Sequence, residues 1–295
     1  AVIISAISHF HSYETVLLAV FISGVLQIFS GFKGYGFIAD FIPNNVIQGM
    51  MCGIGIILVS KQMPIAFTLF KNYAEIKHAL IDASDTILLH PFIHLGFHIN
   101  SGGILLSLLS LVILYFLDTK KPKITRFLPA PIIVVLLGSI SNWWFVHQHS
   151  IFAQHAPQLV HLPRFDNIAH LWYSLPSPDW MAWKNPEVYV YALVLYAITT
   201  LETLLNLNAT EKVDPKRQMI DKNRELIAQG IGNIIGGFLG SIPISSVIVR
   251  TSVNIEAGAK TKFATIFHGA LMLLTICFIP FVLNVIPLCL LASIL

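Results

Sequence analysis

The chain is 295 residues long, 55% hydrophobic and only 11% charged, with a formal net charge of +3 and 20 phenylalanines. Set against the ~25% charge of an average soluble domain, this composition excludes a disordered chain, a basic nucleic-acid-binding domain and a disulfide scaffold. It also leaves too few charges to cover a soluble surface, so the expectation is an all-α polytopic membrane protein, with the lipid bilayer as its surroundings.

The chain opens AVIISAISHF, without an initiator Met, a basic n-region or a cleavage motif, and closes IPLCLLASIL inside an apolar run. Both ends read as cut, and the sequence as part of a longer membrane domain. A spanning helix needs about 20 apolar residues, fewer where neighbours bury it. Segments of that kind are Val16–Phe32, Val46–Val59, Ile104–Leu117, Ile132–Phe145, Val188–Leu207, Leu226–Leu239 and Phe263–Val285, with another beginning near Leu288. Cys52, Cys277 and Cys289 sit singly in apolar runs without CxxC spacing and are expected to be small buried hydrophobes.

The connections sort by charge. Residues 118–126 carry Lys120, Lys121, Lys123 and Arg126, and residues 211–225 carry Lys212, Lys216, Arg217, Lys222 and Arg224. The positive-inside rule makes both loops cytoplasmic. Between them, Trp143–Glu187 holds two basic residues, five histidines and three acids, which suits the outer side, as does Gln62–Gly102. Trp143, Trp144, Trp172, Tyr173, Trp180 and Trp183 cluster in the first of these outer stretches, as interfacial anchors do.

His90, His94 and His98 share one face if their segment is helical, but two turns spread them over ~12 Å, too far for one ion, so no metal site is expected. His147, His149, His155, His161 and His170 read as polar loop residues. No HExxH, P-loop, GxSxG or dinucleotide fingerprint occurs, and neither an enzyme nor a cofactor is expected.

The most informative stretch is GIGNIIGGFLGSIPISSVIVRTSVNIEAGAK, residues 230–260. Gly232, Gly236 and Gly240 recur every four residues, a spacing that lets a neighbouring helix approach closely. Pro243 then removes a backbone donor and biases Ile242 toward an extended conformation. The following Ser245-Ser246-Val247-Ile248-Val249-Arg250 is suited to start a short serine-capped helix. A half-helix that begins inside the membrane points free N–H groups and its positive dipole end at a cavity, an arrangement transporters use for anions. Arg250 either adds positive charge to that cavity or snorkels to the cytoplasmic interface. Glu202, some 14 residues into the run starting at Val188, is either a proton-coupling or Arg250-paired carboxylate inside the membrane or a residue near the inner interface, with Asn206 and Asn208 just beyond it.

Three stretches carry a family resemblance: GFKGYGFIADFIPNNVIQGMMCGIGIILVSKQMP, LETLLNLNATEK, and DKNRELIAQGIGNIIGGFLGSIPISSVIVRTSVNIEAGAKTKFATIFHGALMLL. Together they resemble the SulP family of inorganic anion permeases. The resemblance implies fourteen segments in two inverted repeats of seven, arranged as a core domain and a gate domain. Residues 1–295 would then be a partial transmembrane domain, about segments four to twelve, with Val16–Phe32 the fourth, Val188–Leu207 the eighth and Ile242–Val253 the tenth. The first segments, most of the third, the last two and the family's cytoplasmic STAS domain have no counterpart in this sequence. The implied function is secondary transport of an inorganic anion (sulfate, bicarbonate or chloride), with Ser245, Ser246 and Val247 offering N–H groups and Arg250 beside them. Glu202, with Asn206, matches the coupling position. Some sodium-coupled members have glycine where Arg250 stands and a hydroxyl residue where Ile248 stands, a departure that argues against a sodium site; among proton coupling, sodium coupling and exchange, Glu202 favours protons. A bacterial inner membrane and, for the full-length parent, a homodimer are implied as well. The alternatives are a nucleobase or organic-anion permease of the same architecture, or a non-transporting membrane scaffold.

Overall fold

The computed structural model describes residues 2–41, 43–67, 100–120, 128–155, 158–162, 172–214 and 219–294. The described elements are, in order, α1 (Val2–Phe10), α2 (Tyr13–Phe32), a 3-10 turn (Tyr35–Phe41), α3 (Asn44–Ala66), α4 (Ser101–Lys120), α5 (Ala130–His147), a second 3-10 turn (Trp180–Lys184), α6 (Pro186–Val213), α7 (Lys222–Phe238), α8 (Ile248–Glu256), α9 (Phe263–Phe278), the single turn α10 (Pro280–Leu283) and α11 (Leu288–Ile294). Helices α2, α4, α5 and α6 are long and apolar enough to cross a membrane.

Local chemistry marks several of these helix starts. Ser12 accepts the Thr15 amide at 3.2 Å to open α2. Asn185 accepts the Glu187 amide at 3.0 Å, with Pro186 in the first turn of α6. Asp221 accepts the amides of Asn223 and Arg224 to open α7. Each side-chain oxygen satisfies a donor that a helix cannot satisfy internally.

The chain divides into two compact units. One is Ala1–Met51 with Asp166–Ala270, the other Cys52–Phe165 with Leu271–Leu295. In the first, α2 runs antiparallel to α7 at glycine-limited distance. A Cβ built on Gly24 would lie 2.7 Å from the Gly230 carbonyl oxygen, and one on Gly230 would lie 2.7 Å from that of Gly24. Gly31 meets Asn223 and Ile227 in the same way, and Gly237 meets Leu17 and Phe21. Against α2 also lies α6, where Leu18, Ala19 and Val20 pack with Val188, Ala192 and Leu195. Further along, Leu204 and Leu207 of α6 join Leu226 of α7 and Ala39.

In the second unit Leu106 of α4 packs with Cys289 and Leu290 of α11 and with Phe145 of α5. Gly138 makes room for Leu290, whose methyl carbons lie 2.5 Å from where a Cβ would be.

Several sequence expectations change here. The α7 glycines that let a neighbouring helix approach are Gly230 and Gly237, not the Gly232, Gly236 and Gly240 series: a Cβ on Gly232 would meet only Ile244 Cδ1 at 3.4 Å, one on Gly236 only Ser241, and Gly240 is a turn residue at φ +76° pressed by Pro176 rather than by a helix. The reason is rotational, since α2 approaches the face of α7 that carries positions seven apart. The run Phe263–Val285 is not one helix; α9 stops at Phe278 because Pro280 has no N–H and Ile279 before it adopts φ −129°. Of the three cysteines only Cys289 is buried, while Cys52 is exposed and Cys277 half-buried. The histidine series His90, His94 and His98 lies outside the described residues, as do Lys121, Lys123, Arg126, Lys216 and Arg217.

Glycine contact between backbones leaves nothing flexible to yield, so Gly24→Ala and Gly230→Ala are each expected to lose about 1–3 kcal/mol by overpacking. Gly232→Ala, whose Cβ would make one ordinary contact with the flexible end of Ile244, is expected to be near neutral. Thermal unfolding in detergent checks this, and equal melting temperatures for Gly230→Ala and Gly232→Ala would refute the contact.

Candidate functional site

Helix α7 ends at a left-handed turn. Gly240 has φ +76°, which a side chain disfavours, and the Ser241 amide closes back onto the Gly236 carbonyl at 2.7 Å, the six-to-one bond of a Schellman ending. Tyr13 donates its hydroxyl hydrogen to the Gly240 carbonyl at 2.9 Å, and Pro176 covers the glycine so closely that a Cβ would lie 2.6 Å from its ring. Trp180 packs edge-on against Phe21 and at 5.4 Å from Phe238.

Residues 241–247 are then non-helical, and side chains hold their backbone along one edge. Asn233 accepts the Ile244 amide at 2.6 Å and donates to the Ile244 carbonyl at 3.3 Å, which also accepts from Gln229 at 2.5 Å. Two residues on, Thr203 accepts the Ser246 amide at 3.3 Å, and Asn206 donates to the Ser246 carbonyl at 2.6 Å. Extended backbone turns the N–H and C=O of alternate residues to the same side, so Ile244 and Ser246 face α7 and α6. The amides of Ser245 and Val247, on the other edge, have no acceptor among the described residues.

Only then does α8 begin, at Ile248, with Val247 as its cap and no side-chain capping bond. This corrects the expected serine cap. Ser246 is held extended by Thr203 and Asn206, so the chain turns helical two residues later than its composition suggests. The amides of Ile248, Val249 and Arg250 have no acceptor among the described residues, which leaves the positive end of the α8 dipole open. Ile248 anchors the start by packing against Ala209 and Leu205 of α6.

Arg250 is exposed, and no carboxylate pairs with it among the described residues. The expected Arg250–Glu202 ion pair is therefore not formed. Glu202 is half-buried. It stands on the α6 stripe of positions 202, 205, 206 and 209, one turn before the residues that hold Ser246 and Ile248. Below it in that stripe, Asn206 Oδ1 is buried and has no hydrogen-bond donor among the described residues. Thus Ser246, Val247, Arg250 and Asn206 lie at the start of α8, and Glu202 stands one helical turn before Asn206 on α6. Sequence reasoning missed Thr203, Gln229 and Asn233. Their signal was present as polar residues at helical spacing inside apolar runs, at 199, 203 and 206 on α6 and 229 and 233 on α7.

The sequence profile described as the sulfate permease family matches residues 1–295. The chain is similar to the putative sulfate transporter YvdB of Bacillus subtilis, 26% identical over 290 residues that cover 97% of this chain and 50% of that protein. It is also similar to the bicarbonate transporter BicA of Picosynechococcus, 27% identical over 275 residues that cover 93% of this chain and 44% of that protein. Among solved structures, the transmembrane domain of a cyanobacterial BicA superposes with TM-score 0.69 at 22% identity, over 100% of this chain and 70% of that one. That likeness establishes the fold as the membrane domain of a polytopic helical protein. The chain spans about half the length of the two relatives.

Removing the Asn206 side chain in Asn206→Ala leaves the Ser246 carbonyl unpaired, which is expected to lower stability by about 1–3 kcal/mol. Thr251→Ala, at a half-buried position whose hydroxyl only doubles the bond its own amide makes to the Val247 carbonyl, is expected to change it by less than about 0.5 kcal/mol. Denaturation of the two variants side by side tests the assignment, and indistinguishable losses would contradict it.

Proposed function

The chain belongs to the sulfate permease family, and we propose that the protein it forms part of is a secondary transporter of inorganic anions (sulfate, bicarbonate or chloride) rather than an enzyme. The observation that carries this reading is the open start of α8. Three helix amides and an arginine, none with a partner among the described residues, lie together at the end of a non-helical segment of an apolar protein. A non-transporting scaffold has no use for that arrangement, and a helix N-terminus with a fixed cation is an anion site by its electrostatics.

Residues 1–295 represent about segments four to twelve of fourteen, with α2 the fourth, α6 the eighth, α7 the ninth and α8 the tenth. The unit that holds α2, α6, α7 and α8 is then the moving core, and the other unit belongs to the gate. In the site, Ser245, Val247 and the first residues of α8 present their amides; the Ser246 amide, expected to join them, is taken by Thr203 instead, and Ser245 and Ser246 add hydroxyls that have no hydrogen-bond partner among the described residues. Arg250 supplies the charge.

Glu202 is the coupling residue. Its spacing to Asn206 is i, i+4, which makes the two side chains neighbours on α6. A protonated carboxyl is a donor, and Asn206 Oδ1 lacks one. Proton uptake at Glu202 thus satisfies an acceptor that the unprotonated site leaves bare, which favours proton coupling. The loops 118–126 and 211–225 are cytoplasmic, the membrane is a bacterial inner membrane, and the full-length protein pairs with a second copy. A nucleobase or organic-anion permease is separated from this reading by competition of uptake with sulfate, bicarbonate, chloride, a dicarboxylate and uracil.

For the full-length protein in proteoliposomes, Arg250→Gln is expected to raise the half-saturation concentration for the transported anion by about tenfold or more, the scale of one lost charge-assisted contact. Glu202→Gln is expected to leave anion binding in place but to abolish acceleration by an inward proton gradient. Unchanged affinity in Arg250→Gln would remove Arg250 from the site, and a retained proton response in Glu202→Gln would remove Glu202 from coupling.

A further inference from the structure

We propose that Asn233 is the positioning residue of the anion site. Its side-chain amide fixes the extended segment at Ile244 and so determines where the open amides of α8 point. This rests on the anion-transport reading of α8.

Asn233 is fully buried, as is Gln27. The amide of Asn233 closes a two-bond ring with the backbone of Ile244, and Nδ2 also donates to Gln27 Oε1 at 2.7 Å. Gln27 Nε2 donates to Thr199 Oγ1 at 3.0 Å, and Thr199 donates to the Leu195 carbonyl at 2.7 Å. One line of hydrogen bonds therefore leads from the broken segment through α7 and α2 to the backbone of α6. Its sense is unique. Turning the Asn233 amide over would set its NH2 against the Ile244 N–H and its oxygen against Gln27 Oε1. The line is made of amides and hydroxyls alone, so it carries no group that ionises near neutral pH.

The same device recurs in the other unit. Asn142 accepts the Gln154 amide at 2.8 Å and donates to its carbonyl at 3.2 Å, and Asn284 accepts the Leu162 amide at 2.7 Å and donates to its carbonyl at 3.0 Å. Asn142 and Asn233 even share a local frame. Each stands seven residues before a left-handed residue, His149 at φ 48° and Gly240 at φ 76°. Each is followed by a serine, Ser150 or Ser241, whose amide closes onto the carbonyl three residues beyond the asparagine, at 3.0 and 2.7 Å. Two things set Asn233 apart among the described residues. It alone of the three is gripped by a further helix, through Gln27. It alone holds a segment that runs, four residues later, into a helix with open amides. Asn142 and Asn284 are thus built-in controls for the purely structural share of the device.

The test uses the full-length protein in proteoliposomes, with labelled sulfate and bicarbonate as the anions. Aspartate at position 233 still accepts the Ile244 amide, but when ionised it cannot donate to Gln27 or to the Ile244 carbonyl. Asn233→Asp is expected to raise the half-saturation concentration about tenfold or more while changing the maximal rate less than threefold. The ratio to wild type should fall back as the pH drops from about 8 to about 5.5 and the new carboxyl regains its proton. Asn142→Asp and Asn284→Asp are expected to lower the melting temperature but to move half-saturation by less than twofold. Gln27→Glu, which leaves the Ile244 ring intact and removes the donor to Thr199, should shift half-saturation in the same direction by a smaller factor. In parallel, hydrogen exchange of the bonded Ile244 and Ser246 amides within 241–250 should accelerate at least tenfold in Asn233→Asp while α4 and α5 keep their protection. An Asn233→Asp affinity no different from that of Asn142→Asp, or unchanged exchange at 241–250, would overturn the proposal. If the wild type moves no inorganic anion, the transport reading fails instead, and the exchange measurement still decides whether Asn233 positions α8.

Discussion

Hydrocarbon offers backbone no hydrogen bonds, so a helix broken inside a membrane protein must have its free N–H and C=O groups taken up by the protein itself. The residues between α7 and α8 are where this chain meets that demand, and the surrounding core is arranged to answer it. Asn233 and Gln229 reach the segment from α7, and Thr203 and Asn206 reach it from α6. The glycine contact of α2 with α7 brings Gln27 to Asn233. The turn at Gly240, covered by Pro176 and bonded by Tyr13, sends the chain back along α7 at the height these side chains require.

That arrangement explains why the interior of the first unit is more polar than the composition suggests. Ser23, Gln27, Ser30, Thr199, Thr200, Thr203, Asn206, Gln229 and Asn233 are all buried there beside Leu17, Leu204 and Leu226. Amides and hydroxyls serve where charges would not, because a neutral group is far less costly to desolvate and a low-dielectric surrounding strengthens each bond it completes. What the side chains do not take up is as telling. Along the second edge of the segment and at the first turn of α8 the amides are left open. Arg250, beside them, is exposed and has no carboxylate partner among the described residues.

Much of this was legible from residues alone. Low charge and long apolar runs specified a polytopic helical protein, because the bilayer imposes length and polarity on any span. Pro243 marked the break, because proline cannot donate. Arg250 and Glu202 stood out because charge within an apolar run calls for an explanation. Less legible was where α8 starts. Serine propensity favours Ser245 or Ser246 as its cap, but Thr203 and Asn206 bind the Ser246 backbone and hold it extended. The glycine repeat misled for a related reason. Every fourth residue shares a helix face, yet which face meets a neighbour depends on the approach of α2, which no periodicity within α7 records.

The sequence by itself determined the apolar surroundings this protein is built for, the long runs that become α2, α4, α5 and α6, the break at Pro243 and the family to which it belongs. Those properties follow from local composition and from motifs read in order. Only the tertiary structure decided that Gly24 and Gly230 bring two backbones together, that Asn233 holds Ile244, that α8 opens at Ile248 and that Glu202 and Arg250 remain apart. These depend on contacts between residues as much as 206 positions apart in the chain, and hydrogen bonds across such separations are set by helix packing, which a linear pattern does not encode.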